Sequence, residues 1–415
     1  MSYEVSGKVK DLLAKITALD EVQEALKFIE DDADNTLEEQ IMLCKIEAPT
    51  FQEAERAEAY KNILAGLGLS NPHLDRWGSA VATMKGTGGG PKVLNEAHLD
   101  TVFPLGSVKD VKIENGLVHA PGIVDDTRGL VVATSTVRAF NHSGIKTKGD
   151  VVFAGIVEEE GMGGLGGMKK YLDDNPDIEA SISIDGSDAY GVIYEATGIR
   201  TCEANFYGIG GHAYGAFAAM ANPLHAAARA VAKIADFQVP EEPRTTFCVS
   251  NFHAGNDAGI HAIVPKATIK FNYRSNSMDE LNKLTAMIDK ACKEACEEET
   301  ARWGKDTITY DMKYLVDVMA GTQDTHAPIV ESLVAIIEHL EYEPYWIRGG
   351  STNANNAIGK GIPAVCIGIG KSDNKVHTLD EFFNTKNAHH LVQVNFLLVL
   401  MLAGIEGKTE PVLNL

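Results

Sequence analysis

The spacing of apolar and polar positions changes repeatedly along the chain, and each change marks an element. The first ~85 residues read as helices carrying acidic runs such as IEDDADNTLEEQ, which are ordinarily solvated helix faces. A strand-like RWGSAVATMKG follows, and a GTGGGP turn leads into a second strand, KVLNEAHLD. Next come a hairpin-like VKIENGLVHA, the loop APGIVDDTRG, a helix over about Leu130 to Asn141, the strand GDVVFAGIVEEE, a glycine-rich stretch with a helix, and the strand ASISIDG. Strands alternating with amphipathic helices predict an α/β fold with a mixed, largely parallel sheet, whose carboxyl-end loops are where ligands bind.

From about Arg200 the pattern becomes TCEANFYGIGG, an alanine-rich helix, the strands TTFCVSNFHAG and KATIKFNYRS, a charged helix and the strand TITYDMKYL. This β-α-β-β-α-β order predicts a small inserted α+β domain of ferredoxin-like type. After about Val318 an amphipathic helix, the loop IRGGSTNANN, the strand IPAVCIGIG and a final helix resume the first pattern. The expected organisation is a discontinuous catalytic domain, residues 1–199 and 318–415, interrupted by an inserted domain at 200–317.

Length and charge narrow the function. At 415 residues the chain has room for two domains and a buried polar site. Its 58 acidic against 37 basic residues give a net charge of −21, a field that repels phosphate and argues against nucleic acid and anionic membrane as partners. No run approaches the roughly 18 to 20 apolar residues of a membrane helix. The charged amino terminus, MSYEVSGKVKDLLAKI, does not resemble a secretory signal, so a cytoplasmic location is expected. Six scattered cysteines without a CxxC fit reduced thiols. Cys292 and Cys296 share one helix face, but with no further ligands nearby the pair reads as structural.

Candidate chemistry lies at the ends of predicted strands. His98 and Asp100 in NEAHLDTVFP stand two apart, so both side chains point the same way, the imidazole able to bind metal and the carboxylate to orient it. Adjacent aspartates in GIVDDTRG suit turn or capping chemistry as readily as metal binding. The triplet Glu158, Glu159 and Glu160 ends an apolar strand, and three crowded carboxylates repel one another unless cations intervene. Asp185 closes SISIDG and His377 sits in KVHTLDEF; either alone reads as structural. Together His98, Asp125, Glu160, Asp185 and His377 offer one bridging carboxylate and four terminal ligands. The absence of thiolate suits a pair of Zn²⁺ ions, with Mn²⁺ or Co²⁺ tolerated. Such a pair acidifies a shared water and polarises a carbonyl, and one further carboxylate must take the proton.

In order, HLDTVFP, PGIVDDTRG, EEEGMGGLGG, SIDG, GIGGHAYG, NYRS, RGGSTNA and HTLDEF resemble the co-catalytic zinc exopeptidases and deacylases. That family includes peptidase T, glutamate carboxypeptidase, acetylornithine deacetylase and succinyl-diaminopimelate desuccinylase, and the resemblance runs from about Ala48 to His390. It implies that Asp125 bridges, that His98 and Asp185 complete one site, and that Glu160 and His377 complete the other. Asp100 would orient His98, and Glu159 would be the general base; a one-residue slip would instead make Glu158 the base and Glu159 the ligand. The resemblance also implies a cis peptide between Asp125 and Asp126. It places His212 on a loop that reaches a neighbouring subunit and stabilises the oxyanion, hence a homodimer through the inserted domain. Arg274 resembles an arginine that pairs with a substrate carboxylate, and Gly350 would let substrate approach the backbone.

Two positions depart from the family pattern: His261 where many relatives have asparagine, and Asn353 where many have aspartate facing a free amino group. Arg348 resembles peptidase T more than the deacylases. The implied activity is cleavage of a short peptide, peptidase T-like. An N-acyl amino acid deacylase is the alternative, and a non-catalytic metal-binding protein on the same scaffold is a more remote one.

Overall fold

The computed structural model describes residues 3–186, 189–303, 308–368 and 374–415. The chain forms two compact units, one from residues 1–196 and 322–415, the other from 197–321.

An eight-stranded sheet is the frame of the first unit. Its strands are β1 (Ser70–Leu74), β2 (Ala80–Met84), β3 (Val93–His98), β4 (Val151–Ile156), β5 (Ala180–Ile184), β6 (Gly191–Ile193), β7 (Tyr345–Ile347) and β8 (Ala364–Ile367), in the spatial order β1-β2-β4-β3-β5-β8-β6-β7. The four central strands β4, β3, β5 and β8 run parallel, while β2 and β6 pair antiparallel with their neighbours β4 and β8. Buried on both faces, the central strands read as apolar runs rather than alternations. Their side chains still divide by period two: Val151 and Phe153 join the larger core, Val152, Ala154 and Ile156 the smaller one on the opposite face. Helices Thr127–Ser143 and His389–Ala403 pack in the larger core, and the short helices Gly166–Asp174 and Ala354–Gly359 in the smaller. The helix His389–Ala403 is apolar on nearly every side because it is enclosed on nearly every side.

The second unit is a four-stranded antiparallel sheet in the order Thr245–Ala254, Lys266–Ser275, Gly198–Tyr207, Thr309–Val318. Helices Pro223–Ala235 and Met278–Trp303 cover it. Lys266–Ser275 alternates strictly between buried and less buried positions, as a strand with one covered face must. Cys292 and Cys296 are buried in the core of this unit, where burial pushes both thiols up to about 12. Among the described residues no helix is long and apolar enough to cross a membrane.

Candidate active site

Three adjacent parallel strands deliver their carboxyl ends to one edge of the sheet: β3 ends in His98, β4 leads to Glu159 and Glu160, and β5 to Asp185. Asp125 joins them from the loop preceding helix Thr127–Ser143, and the Asp125–Asp126 peptide is cis. Asp126 caps that helix, its Oδ1 accepting from the Gly129 amide at 2.9 Å, while its Oδ2 accepts from the His98 amide at 2.8 Å. One buried carboxylate therefore ties the helix to the strand. A Cβ on Gly129 would lie 2.2 Å from Asp126 Oδ1 and 2.5 Å from the Ile184 carbonyl, so only glycine permits this approach.

The candidate donor atoms converge. His98 Nε2 lies 3.0 Å from Asp125 Oδ1, and His377 Nε2 lies 2.9 Å from Asp125 Oδ2 and 3.0 Å from Glu160 Oε1. Potential donor atoms of His98, Asp125 and Asp185 all lie within 4.8 Å of one another, as do those of Asp125, Glu160 and His377. Asp125 belongs to both triads. A third group, His98, Glu159 and Glu160, meets the same limit. These residues line a cavity of about 340 Å³ completed by Gly186, Ile193, Ile347, Gly350, Ser351, Thr352 and Val376.

Asp100 does more than face His98. Its carbonyl lies 3.0 Å from His98 Nδ1 and its Oδ1 lies 3.5 Å from that nitrogen. The carboxylate accepts from the amides of Glu159 and Glu160, each at 3.0 Å, and from the Thr50 hydroxyl at 2.8 Å.

The electrostatics test whether divalent cations fit. Burial pushes Glu159 well above the usual carboxylate range, with repulsion from Asp185 and Glu160 adding to it and His98 opposing it. Burial likewise raises Asp185 to about 7. Hydrogen bonds to Asp125 and Glu160 raise His377 to about 10. Burial opposes ionisation of Asp125, yet the bonds from His377 and His98 outweigh it and hold that carboxyl below its ordinary range. Asp125, Glu159, Glu160 and Asp185 together carry four negative charges when ionised, the number two divalent cations neutralise. Imidazole and carboxylate donors without thiolate complete the match to Zn²⁺, Mn²⁺ or Co²⁺.

Other expected site residues lie elsewhere. Glu158 has a left-handed φ of 58°, and its side chain turns to Lys170 at 2.6 Å instead of lining the cavity. Asn353 is buried and absent from the cavity lining, and its amide nitrogen donates to Glu96 Oε2 at 2.8 Å. Gly350 lines the cavity, and Arg348 is exposed just beyond β7. In the second unit His212, His261 and Arg274 are all exposed. His212 Nδ1 accepts from the amides of Tyr214 and Gly215, each at 3.2 Å, and Arg274 Nε donates to Asn272 at 3.1 Å.

Sequence reasoning missed Glu381. Fully buried, it accepts from the amides of Gly122, Val124 and Asp125 at 3.0, 2.8 and 3.0 Å and so shapes the loop carrying Asp125, the residue common to both triads. Its place in HTLDEF, four residues after His377, was the available signal.

The family described as peptidase family M20/M25/M40 matches residues 94–401. The protein YqjE of Bacillus subtilis (strain 168) is 27% identical over 360 residues, covering 83% of this chain and 92% of YqjE. Aminopeptidase PepT from Bacillus cereus has a TM-score of 0.73 at 20% identity, covering 88% of this chain and 98% of its own. YXEP from Bacillus subtilis, a dinuclear metal binding peptidase, has a TM-score of 0.68 at 14% identity, covering 90% of this chain and 99% of its own. At these identities the two structures establish likeness of fold.

Proposed function

The chain belongs to peptidase family M20/M25/M40 and is a hydrolase, and from that premise we propose that it cleaves the amide bond of a short peptide in a peptidase T-like reaction. The observation that carries this reading is the pair of ligand triads meeting at Asp125. His98, Asp125 and Asp185 would hold one zinc ion, and Asp125, Glu160 and His377 the other. When bound, the two ions supply Lewis acidity, polarising the scissile carbonyl and lowering the pKa of an attacking water.

The protein's own groups do the rest. Glu159 is the general base, taking the water's proton and passing it to the leaving amine. Its backbone is held by the Asp100 carboxylate, and a base fixed this way acts without reorganising. His212 is the oxyanion donor. With Nδ1 accepting two backbone amides, neutral His212 carries its proton on Nε2, the tautomer that donates outward. Arg274, with a planar fork suited to a carboxylate, holds the substrate's carboxyl end, assisted by Arg348 and His261. Gly350 gives the substrate backbone room. A homodimer through the inserted unit and a cytoplasmic location complete the reading, the latter supported by six unpaired cysteines.

The Asn353 side chain favours a second reading, deacylation of an N-acyl amino acid. Neutral, with its amide nitrogen directed at Glu96, it carries no charge to pair with a free amino group. A panel of tripeptides and matching N-acetyl and N-benzoyl amino acids, assayed with zinc, manganese and cobalt, separates the two. Turnover that requires the free amine supports the peptidase, indifference to blocking supports the deacylase, and no hydrolysis of either rejects both.

A further inference from the structure

Ile193 and Ile347 are register partners on the adjacent parallel strands β6 and β7, so their side chains stand together on one face. Both reach the cavity that holds the ligand cluster. Ile193 is 4% exposed and set between two glycines. A Cβ added to Gly186 would lie 3.3 Å from its Cδ1, and one added to Gly350 would lie 3.5 Å from its Cγ2. Val376, which precedes His377 and is 40% exposed, supplies a third branched aliphatic group. The other described lining residues outside the ligand cluster and Glu159 are Gly186, Gly350, Ser351 and Thr352, none of them charged.

We infer that Ile193, Ile347 and Val376 form a selectivity wall, and that the substrate group seated against the cluster carries an apolar, uncharged side chain of leucine or phenylalanine kind. This rests on the amide-hydrolase reading above and adds the class of substrate. The charge distribution decides it. A substrate side-chain carboxylate against this wall would meet only apolar carbon, with no described lining arginine or lysine to pair it. A substrate ammonium would find every carboxylate of the cavity already assigned to metal binding or proton transfer, and burying it unpaired is costly. A branched or aromatic side chain loses water against the wall and strands no polar group. At about 340 Å³ the cavity is near the lower end for small-molecule sites and suits one side chain with its amide.

The test measures binding apart from turnover. Hydroxamates of leucine, phenylalanine, aspartate and lysine are titrated calorimetrically into the zinc-loaded full chain, since a hydroxamate anchors on metal and leaves its side chain to choose a wall. Leucine and phenylalanine hydroxamates should bind at least roughly tenfold more tightly than the charged pair, the scale by which an apolar pocket discriminates. Ile347→Asp should cut that ratio and raise the relative affinity for lysine hydroxamate. Val376→Asp, on an exposed position, makes the same measurement if Ile347→Asp does not fold. Equal affinities in the wild type, or a ratio that neither variant moves, overturns the inference. An apolar preference in a protein that hydrolyses no amide would reject the function proposed above and leave the wall standing.

Discussion

The backbone amide of Asp125 donates to the buried carboxylate of Glu381 at 3.0 Å. The same oxygen accepts from Val124, and the other from Gly122. One short segment thus provides His377, a candidate ligand, and, four residues on, the acceptor that sets the backbone of Asp125, the residue shared by both triads. Glu381→Gln keeps the shape but turns an NH₂ group toward amide donors. Metal affinity should fall about 10- to 100-fold, as for other groups that orient ligands, and competition with a chelating dye measures it. An unchanged affinity would show that the loop holds its form without Glu381.

Asp100 sets the register of the acidic triplet by gripping the amides of Glu159 and Glu160, while the left-handed turn at Glu158 sends that side chain to Lys170. Glu159→Gln should lower kcat by about 10²- to 10⁴-fold, the usual contribution of a general base, with two metal equivalents retained. Glu158→Gln removes only a partly exposed ion pair, worth about 0–1 kcal/mol of stability, and should leave kcat within about twofold. Steady-state kinetics beside metal analysis of both variants tests this, and the reverse pattern of losses would shift the roles by one residue.

Legibility in the sequence followed the range of the interaction. His98, the triplet and Asp185 stood out because each ends an apolar run, and an apolar run that stops at a charged group is visible locally. The turn at Glu158 was not, because a single backbone dihedral leaves no mark in a run of identical residues. Glu381 lay in a visible motif, HTLDEF, but its role did not show: its partners are backbone amides more than 250 positions earlier, and amides have no sequence signature. Asn353 drew notice only through the resemblance, because many relatives have aspartate at its position. Its bond to buried Glu96, two residues before His98, could not be read, because a carboxyl's need for a buried donor depends on a fold that brings together positions 257 apart. β6 and β7, three residues each, are too short to show a period, so the wall formed by Ile193 and Ile347 could not be read.

His212 should behave as a donor to the reacting oxygen and not as a ligand. His212→Ala is expected to lower kcat by about 10²- to 10³-fold, corresponding to about 2.7–4 kcal/mol for one oxyanion donor, with zinc content unchanged. Its two amide bonds also predict that His212→Asn, which can present a side-chain NH₂, recovers part of the loss. Equal kcat in wild type and His212→Ala would remove the residue from the reaction.

His390 predicts how stability depends on pH. It sits in the first turn of helix His389–Ala403, beside the hydroxyls of Tyr342 at 2.7 Å and Tyr190 at 3.1 Å. Burial, reinforced by the neighbouring His389, lowers its pKa from 6.5 to about 4, and a positive charge at a helix amino terminus is opposed by the helix dipole as well. Below pH 6.5 the unfolded chain takes up a proton that the folded chain resists until about pH 4. The stabilisation is therefore complete above 6.5 and is lost as pH falls through this window. The full shift would correspond to about 3 kcal/mol, but for a half-buried ring solvent screening reduces it to on the order of 1 kcal/mol. His390→Gln retains a group that can bond to Tyr342 and cannot gain charge in this range. Urea unfolding of the zinc-loaded proteins at pH 7.5 and pH 5 should show the wild type losing on the order of 1 kcal/mol more than the variant. Titration of the ligand cluster is common to both proteins and cancels in that difference, so equal losses would mean that His390 takes up its proton alike in the folded and unfolded chains.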